Sequence, residues 1–219
     1  MTHLFALPTA AADSTNTVLR SRLSAARLAY LDRLHGSAQQ QSFTASLLLD
    51  EATARCYPSV PRPLGIAVHE GGKPYLTAAP HVHFSLSHSR AWVVCAVSDH
   101  PVGVDIQQCR SGRSGVAERF FYPDEVQYLS SLPPAERNDA FYTLWALKES
   151  YVKADGRGLR LLRQFCVDIA GQPPKITVGT PCSLFAPEFP EPAYKLGVCV
   201  QKENAEIPTL TVLPHLSAR

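Results

Sequence analysis

The chain has 219 residues, of which 45% are hydrophobic and 18% charged. That is enough apolar material for one large domain or two small ones, and it argues against extensive disorder. Lys and Arg number 21 against 19 Asp and Glu, a net charge of +2, which lacks the basic excess of a dedicated nucleic-acid binder. The longest apolar run, residues 92–97, falls far short of the ~20 residues of a membrane span, so no membrane segment is expected.

Residues 1–8 superficially resemble a short apolar signal, but no Lys or Arg precedes Arg20 and Pro8 interrupts the apolar stretch, which argues against a secretory signal. The stretch 17–34 carries Leu19, Leu23, Ala26, Tyr30 and Leu34 on one helical face. Arg20, Arg22, Arg27 and Arg33 decorate that helix, either as a solvated polar surface or as a site for phosphates or an acidic partner. A second helix is expected over 42–54, ended by Pro58, Pro61 and Pro63. Strands follow at 65–68, 82–86, 91–98 and 102–106, with turns at 70–74 and 99–101. Residues 110–115 read as a flexible basic loop. Helices return at 116–121, at the Pro-Asp-Glu of 123–125, and over 135–154, where Gly156 and Gly158 supply the stop. Strands at 165–169, 175–178 and 194–201 complete the chain. Helices precede strands twice, which indicates an α+β fold of two halves meeting near residue 101. Six cysteines without a CxxC, several in apolar strand-like runs, read as reduced thiols of a cytoplasmic protein.

Three clusters could carry chemistry. In Phe84-Ser85-Leu86-Ser87-His88-Ser89, a His flanked by hydroxyls can donate to phosphate oxygens or simply form a turn. Ser87 and His88 do not suit a nucleophile–base pair, because neighbouring side chains on a strand point to opposite faces. In Gly103-Val104-Asp105-Ile106-Gln107, a carboxylate stands inside an apolar strand, where it needs a cation, a metal or strong donors. In the helix 145–153, Glu149 and Lys153 are four apart and could be an ordinary surface ion pair. Lys148, however, shares the buried side with Trp145 and Val152. A strand Asp and a helix Glu also form a hard-oxygen pair suited to Mg²⁺, which takes one or two carboxylates and completes its shell with water and phosphate.

Gly-Gly-Lys-Pro at 71–74, Phe-Ser-Leu-Ser-His-Ser at 84–89, Gly-Val-Asp-Ile at 103–106, Arg-Phe-Phe at 119–121 and Trp-Ala-Leu-Lys-Glu-Ser at 145–150 follow one another in an order that resembles the 4′-phosphopantetheinyl transferases. The resemblance is to the long, surfactin-synthetase-activating type. It implies a pseudo-dimer of two similar α+β halves, here 1–101 and 102–219, with coenzyme A and Mg²⁺ in the cleft between them. It implies transfer of the phosphopantetheine arm of coenzyme A to a serine of an apo acyl or peptidyl carrier protein, releasing adenosine 3′,5′-bisphosphate, by a cytoplasmic monomer. Asp105 and Glu149 would then ligate Mg²⁺, and Glu149 or a water it holds would take the serine proton. Lys148 and Lys153 would face the pyrophosphate and the leaving group. Lys73, Ser87 and His88 would hold the nucleotide and its 3′-phosphate, and residues 119–121 with Leu129 would lie where relatives meet the carrier.

Two positions depart from the family pattern. Gln107 stands where a second acid is common, so it would offer the metal a neutral carbonyl oxygen or a held water. Ser42 stands where a basic residue often precedes the Leu-Leu of the second helix, which shifts nucleotide binding toward Lys73, His88 and an arginine of the first helix. The alternative to catalysis is a coenzyme A- or carrier-binding homologue whose metal site has decayed.

Overall fold

The computed structural model describes residues 1–110 and 115–216; the expected basic loop lies, at 111–114, outside the described residues. The chain divides into two units, Met1–His100 with the segment from Pro208, and Pro101–Ile207.

In the first unit, β1 (Thr2–Pro8), β4 (His83–Ser89), β5 (Trp92–Ser98) and β11 (Leu210–Val212) form a sheet in the order β11-β1-β5-β4. The pairs β1–β5 and β4–β5 are antiparallel, while β1–β11 is parallel. A small hairpin, β2 (Ile66–Val68) with β3 (Pro74–Leu76), accompanies it. Helix α3 (Gly36–Cys56) packs on the sheet through Phe43, Leu47, Leu48 and Ala52, meeting Phe5, Leu7, Val93, Cys95 and Val97. Every residue of α3 from Phe43 to Thr53 is buried, so its middle turns are covered all round rather than on one stripe.

The expected helix over 17–34 is two short helices, α1 (Thr17–Arg20) and α2 (Ala25–Leu31). Each has its own cap: Asn16 Oδ1 accepts from Val18 and Leu19 N–H, and Ser24 Oγ accepts from Arg27 N–H. A second N-cap inside the periodic stretch restarts the helix. Arg22 and Arg27, expected on a solvated surface or at a site for phosphates or an acidic partner, are drawn inward against the chain's own side chains. Arg22 spans the buried carboxylates of Asp50 and Glu51 at 2.6 and 2.9 Å, with Arg55 and Arg62 completing the network.

The second unit contains β6 (Val102–Gln108), α4 (Val116–Phe120), α5 (Pro123–Ser131), α6 (Pro134–Asp155), β7 (Cys166–Asp168), β8 (Lys175–Val178), β9 (Ser183–Phe185) and β10 (Tyr194–Val200). Strands β6, β10 and β9 form one antiparallel sheet in that order, and β7 pairs with β8. Helix α6 starts on Pro134 and ends at Gly156, whose φ of 87° suits glycine and whose N–H returns to Val152 O. It lies on the β6–β10 sheet at backbone distance. A Cβ on Gly103 would collide with the Ser150 carbonyl, and one on Gly197 with the Ala146 carbonyl. Glycine is required there for close approach, and Ala146, Ser150 and Ala154 form the small-residue face opposite. Phe121, Phe141, Leu144, Leu147, Tyr151 and Phe165 fill the core on the other sides of the helix.

Both units mix helix and sheet, the α+β class expected. The boundary differs at the end of the chain. Residues from Pro208 onward belong to the first unit, because β11 pairs with β1 and Leu213 and Leu216 enter the first core.

Candidate functional site

The close seating of α6 decides where its polar residues go. On β6, Gly103, Asp105 and Gln107 share one face, with Gly103 under α6. Asp105 is 2% exposed. Its Oδ1 accepts from Lys153 Nζ at 2.6 Å and its Oδ2 from the Gln107 side-chain amide at 2.7 Å. Lys153 also donates to the Val104 carbonyl at 3.2 Å. Glu149, one turn before Lys153 on α6, is half-buried. Burial and then the Asp105 charge push its carboxyl up to about 7, with Lys153 pulling the other way. Asp105 and Glu149 thus repel one another, and the Lys153 ammonium attracts both.

The repulsion between these two carboxylates is the fit test for a divalent cation. Among the described residues no group of three or more His, Cys, Asp or Glu gathers as a metal centre. A hard cation completed by water and phosphate oxygens needs only one or two carboxylates. Asp105 and Glu149 fit that demand, and Gln107 adds a carbonyl oxygen only if its amide turns from its present bond to Asp105.

Lys148 goes elsewhere. It has no exposed side-chain surface, and Nζ lies 2.9 and 2.8 Å from the two oxygens of Glu125 and 2.9 Å from the Phe165 carbonyl. The ammonium stands 4.0 Å from the Phe165 ring centroid. Glu125 is equally buried and also accepts from Val167 N–H at 2.7 Å and Tyr122 N–H at 2.8 Å. Burial raises the Glu125 carboxyl and lowers the Lys148 ammonium, and their mutual attraction opposes both shifts. The expectation that Lys148 meets pyrophosphate oxygens is corrected: its three protons are spent inside the second unit. Glu125 was missed. Its signals were the acid at the third helical position after Tyr122-Pro123, which is a capping-box pattern, and a buried Lys148 that demanded a counter-charge.

Lys73, Ser87 and His88 all belong to the first unit. Lys73 closes the tight turn before β3, with His69 N–H donating to its carbonyl at 3.0 Å and Gly72 at φ 87°. On β4, Ser87 is buried and His88 exposed, the alternation that separates their side chains. Ser42 accepts from Arg27 Nη2 at 2.8 Å, and Ser46 accepts from Arg27 Nε at 2.7 Å. An arginine of the split first helix therefore stands at Ser42.

Residues 101–195 match the family model described as the 4′-phosphopantetheinyl transferase superfamily. The chain is 33% identical to the 4′-phosphopantetheinyl transferase ffp of Bacillus subtilis over 78% of this chain and 78% of that protein. It is 32% identical to 4′-phosphopantetheinyl transferase Sfp of B. subtilis strain 168 over 75% of each. A third B. subtilis 4′-phosphopantetheinyl transferase is 39% identical over 58% of this chain, a match spanning 57% of that relative's length. With the strand carboxylate and the helix carboxylate set against each other inside the matched region, the chain belongs to the 4′-phosphopantetheinyl transferase superfamily.

Proposed function

We propose that this protein transfers the 4′-phosphopantetheine arm of coenzyme A to a serine hydroxyl of an apo acyl or peptidyl carrier protein. In that reaction the serine oxygen bonds to the phosphorus that carries the pantetheine, the pyrophosphate P–O bond breaks, and adenosine 3′,5′-bisphosphate leaves. The observation that carries the reading is Glu149, a half-buried carboxylate beside Asp105 with its pKa pushed up to about 7. That value belongs to the metal-free site; a bound cation would lower it, and a carboxylate oxygen not bound to the cation can still accept a proton.

Glu149, or a water it holds, takes the proton of the incoming serine hydroxyl. Lys153, 30% exposed and held on Asp105, supplies fixed positive charge to the leaving group. Asp105 and Glu149 would hold Mg²⁺, whose chemistry is to neutralise charge on the pyrophosphate. Lys73, Ser87 and His88 would bind the nucleotide and its 3′-phosphate through charge-assisted hydrogen bonds. Arg119, exposed, and Phe120, half-buried, would lie at the carrier-facing surface, with Phe121 and Leu129 supporting it from the core. The reading places the work in a cytoplasmic monomer.

The test is intact mass of apo carrier proteins from several pathways after incubation with the protein, coenzyme A and Mg²⁺. A phosphopantetheine-sized gain with matching release of adenosine 3′,5′-bisphosphate is expected. Coenzyme A binding without any gain would instead assign a non-catalytic binder, with Gln107 at the centre of the loss.

A further inference from the structure

We infer that Glu125 is a positioning residue for the carboxylate pair, acting through Lys148 to fix how α6 presents Glu149 and Lys153. The inference rests on the proposed transferase reading of Asp105 and Glu149.

The geometry is a three-way junction on one carboxylate. Glu125 ties the start of α5 through Tyr122 N–H, the first residues of β7 through Val167 N–H, and α6 through Lys148. Lys148 in turn reaches the Phe165 carbonyl just before β7. Each oxygen of Glu125 accepts one backbone N–H and lies against the ammonium, so carboxylate and ammonium are both fully used.

A helix turns about 100° per residue, so Lys148 points well away from Glu149, while Glu149 and Lys153 lie only about 40° apart. Rotation of α6 about its axis is therefore pinned from two directions. Lys153 is anchored to Asp105 on β6, and Lys148 is anchored to Glu125 on α5. The glycine contacts at Gly103 and Gly197 set how close the helix lies to the sheet, but a smooth small-residue face alone does not set its rotation. A buried ion pair is poor value as a source of stability, because apolar groups of the same volume often do as well. Its value at this place is geometric. It fixes the residue next to Glu149 in sequence without touching substrate, and a displacement of about 1 Å at a reacting group can cost 10²-fold in rate.

The test uses the full chain and measures kcat, the coenzyme A dissociation constant and the melting temperature. Rates are expressed per coenzyme A-binding site, so that unfolded protein does not count. Glu125→Asp keeps the charge and the acceptors but withdraws them by one methylene. It is expected to lower kcat at least tenfold while leaving the coenzyme A dissociation constant within about threefold of the parent. Glu125→Gln combined with Lys148→Met removes both charges and leaves none orphaned. It is expected to melt above either single variant while kcat stays at least tenfold down. Recovery of kcat together with melting temperature in the double variant would overturn the inference, leaving a purely structural pair. A coenzyme A dissociation constant raised more than tenfold in Lys148→Met would also overturn it, because Lys148 would then touch the nucleotide. A parent protein that transfers nothing to any carrier refutes the transferase reading, and the positioning role with it; that outcome appears in the parent alone.

Discussion

At the scale of single residues, the site sets one carboxylate against another. The Glu149 carboxyl is pushed from its ordinary 4.5 up to about 7 by burial and by the Asp105 charge. An acid with a folded pKa above its unfolded one holds its proton more tightly in the native state. Its favourable contribution is fully present below about 4.5 and is lost as pH rises through about 7. In chelator-treated protein, Glu149→Gln is therefore expected to exceed the parent in stability by about 1–3 kcal/mol at pH 8 and by much less at pH 5. Denaturant midpoints at the two pH values check this, and an equal difference at both would contradict the raised carboxyl. Gln107 is the second lever. Its amide donates to Asp105, so Gln107→Glu would replace an attraction with a third carboxylate. That variant should shift the Mg²⁺ midpoint of activity to lower concentration, and an unmoved midpoint would mean that position 107 does not reach the metal.

At the scale of elements, the seating of α6 on β6 and β10 is the fact on which the site depends. Gly103→Ala forces a methyl into the Ser150 carbonyl, backbone that cannot swing aside. It should cost about 3 kcal/mol or more, the upper range for overpacking, and an unchanged thermal midpoint would contradict the described approach. Much of this element layer was legible: α6 starts and stops within a residue of its expected limits because Pro134 and Gly156 punctuate it. The first helix was not, because Leu19, Leu23, Ala26 and Tyr30 keep a helical period across the break that Ser24 makes. The buried arginines escaped for a related reason. The burial of Asp50 and Glu51 in the middle of α3 is a tertiary property, so nothing local to Arg22 marked it as their partner. Arg22→Ala would leave Asp50 to Arg62 and Glu51 to Arg55 and should cost about 1.5–3 kcal/mol, the range for hydrogen bonds to charged groups, measured by chemical denaturation; a loss below about 0.5 kcal/mol would place the network at the surface.

At the scale of the whole chain, motif order carried more than periodicity. Asp105, Gln107, Glu149 and Lys153 were all singled out from sequence and do converge. Spacing put Lys148 on the buried side of its helix, whereas its pyrophosphate role came from the resemblance alone, which does not say in what direction the ammonium is drawn. Glu125, which decides that direction, lies 23 residues away. The end of the chain was equally opaque. Leu210–Val212 is a strand of only three residues flanked by Pro208 and Pro214, yet it extends the first sheet alongside β1. Truncation after Ile207 removes that strand with Leu213 and Leu216, and should destabilise the first unit by about 2–4 kcal/mol; a truncated protein of parental stability would contradict the pairing. The central claim, that Glu149 is the proton acceptor of a phosphopantetheine transfer, is tested most directly by the single-turnover rate onto an apo carrier for the parent and for Glu149→Gln, at saturating coenzyme A and Mg²⁺. The account predicts a loss of about 10²-fold or more in the variant, the range for removing a general base, with coenzyme A still bound and the fold intact. A variant that transfers within threefold of the parent would contradict it.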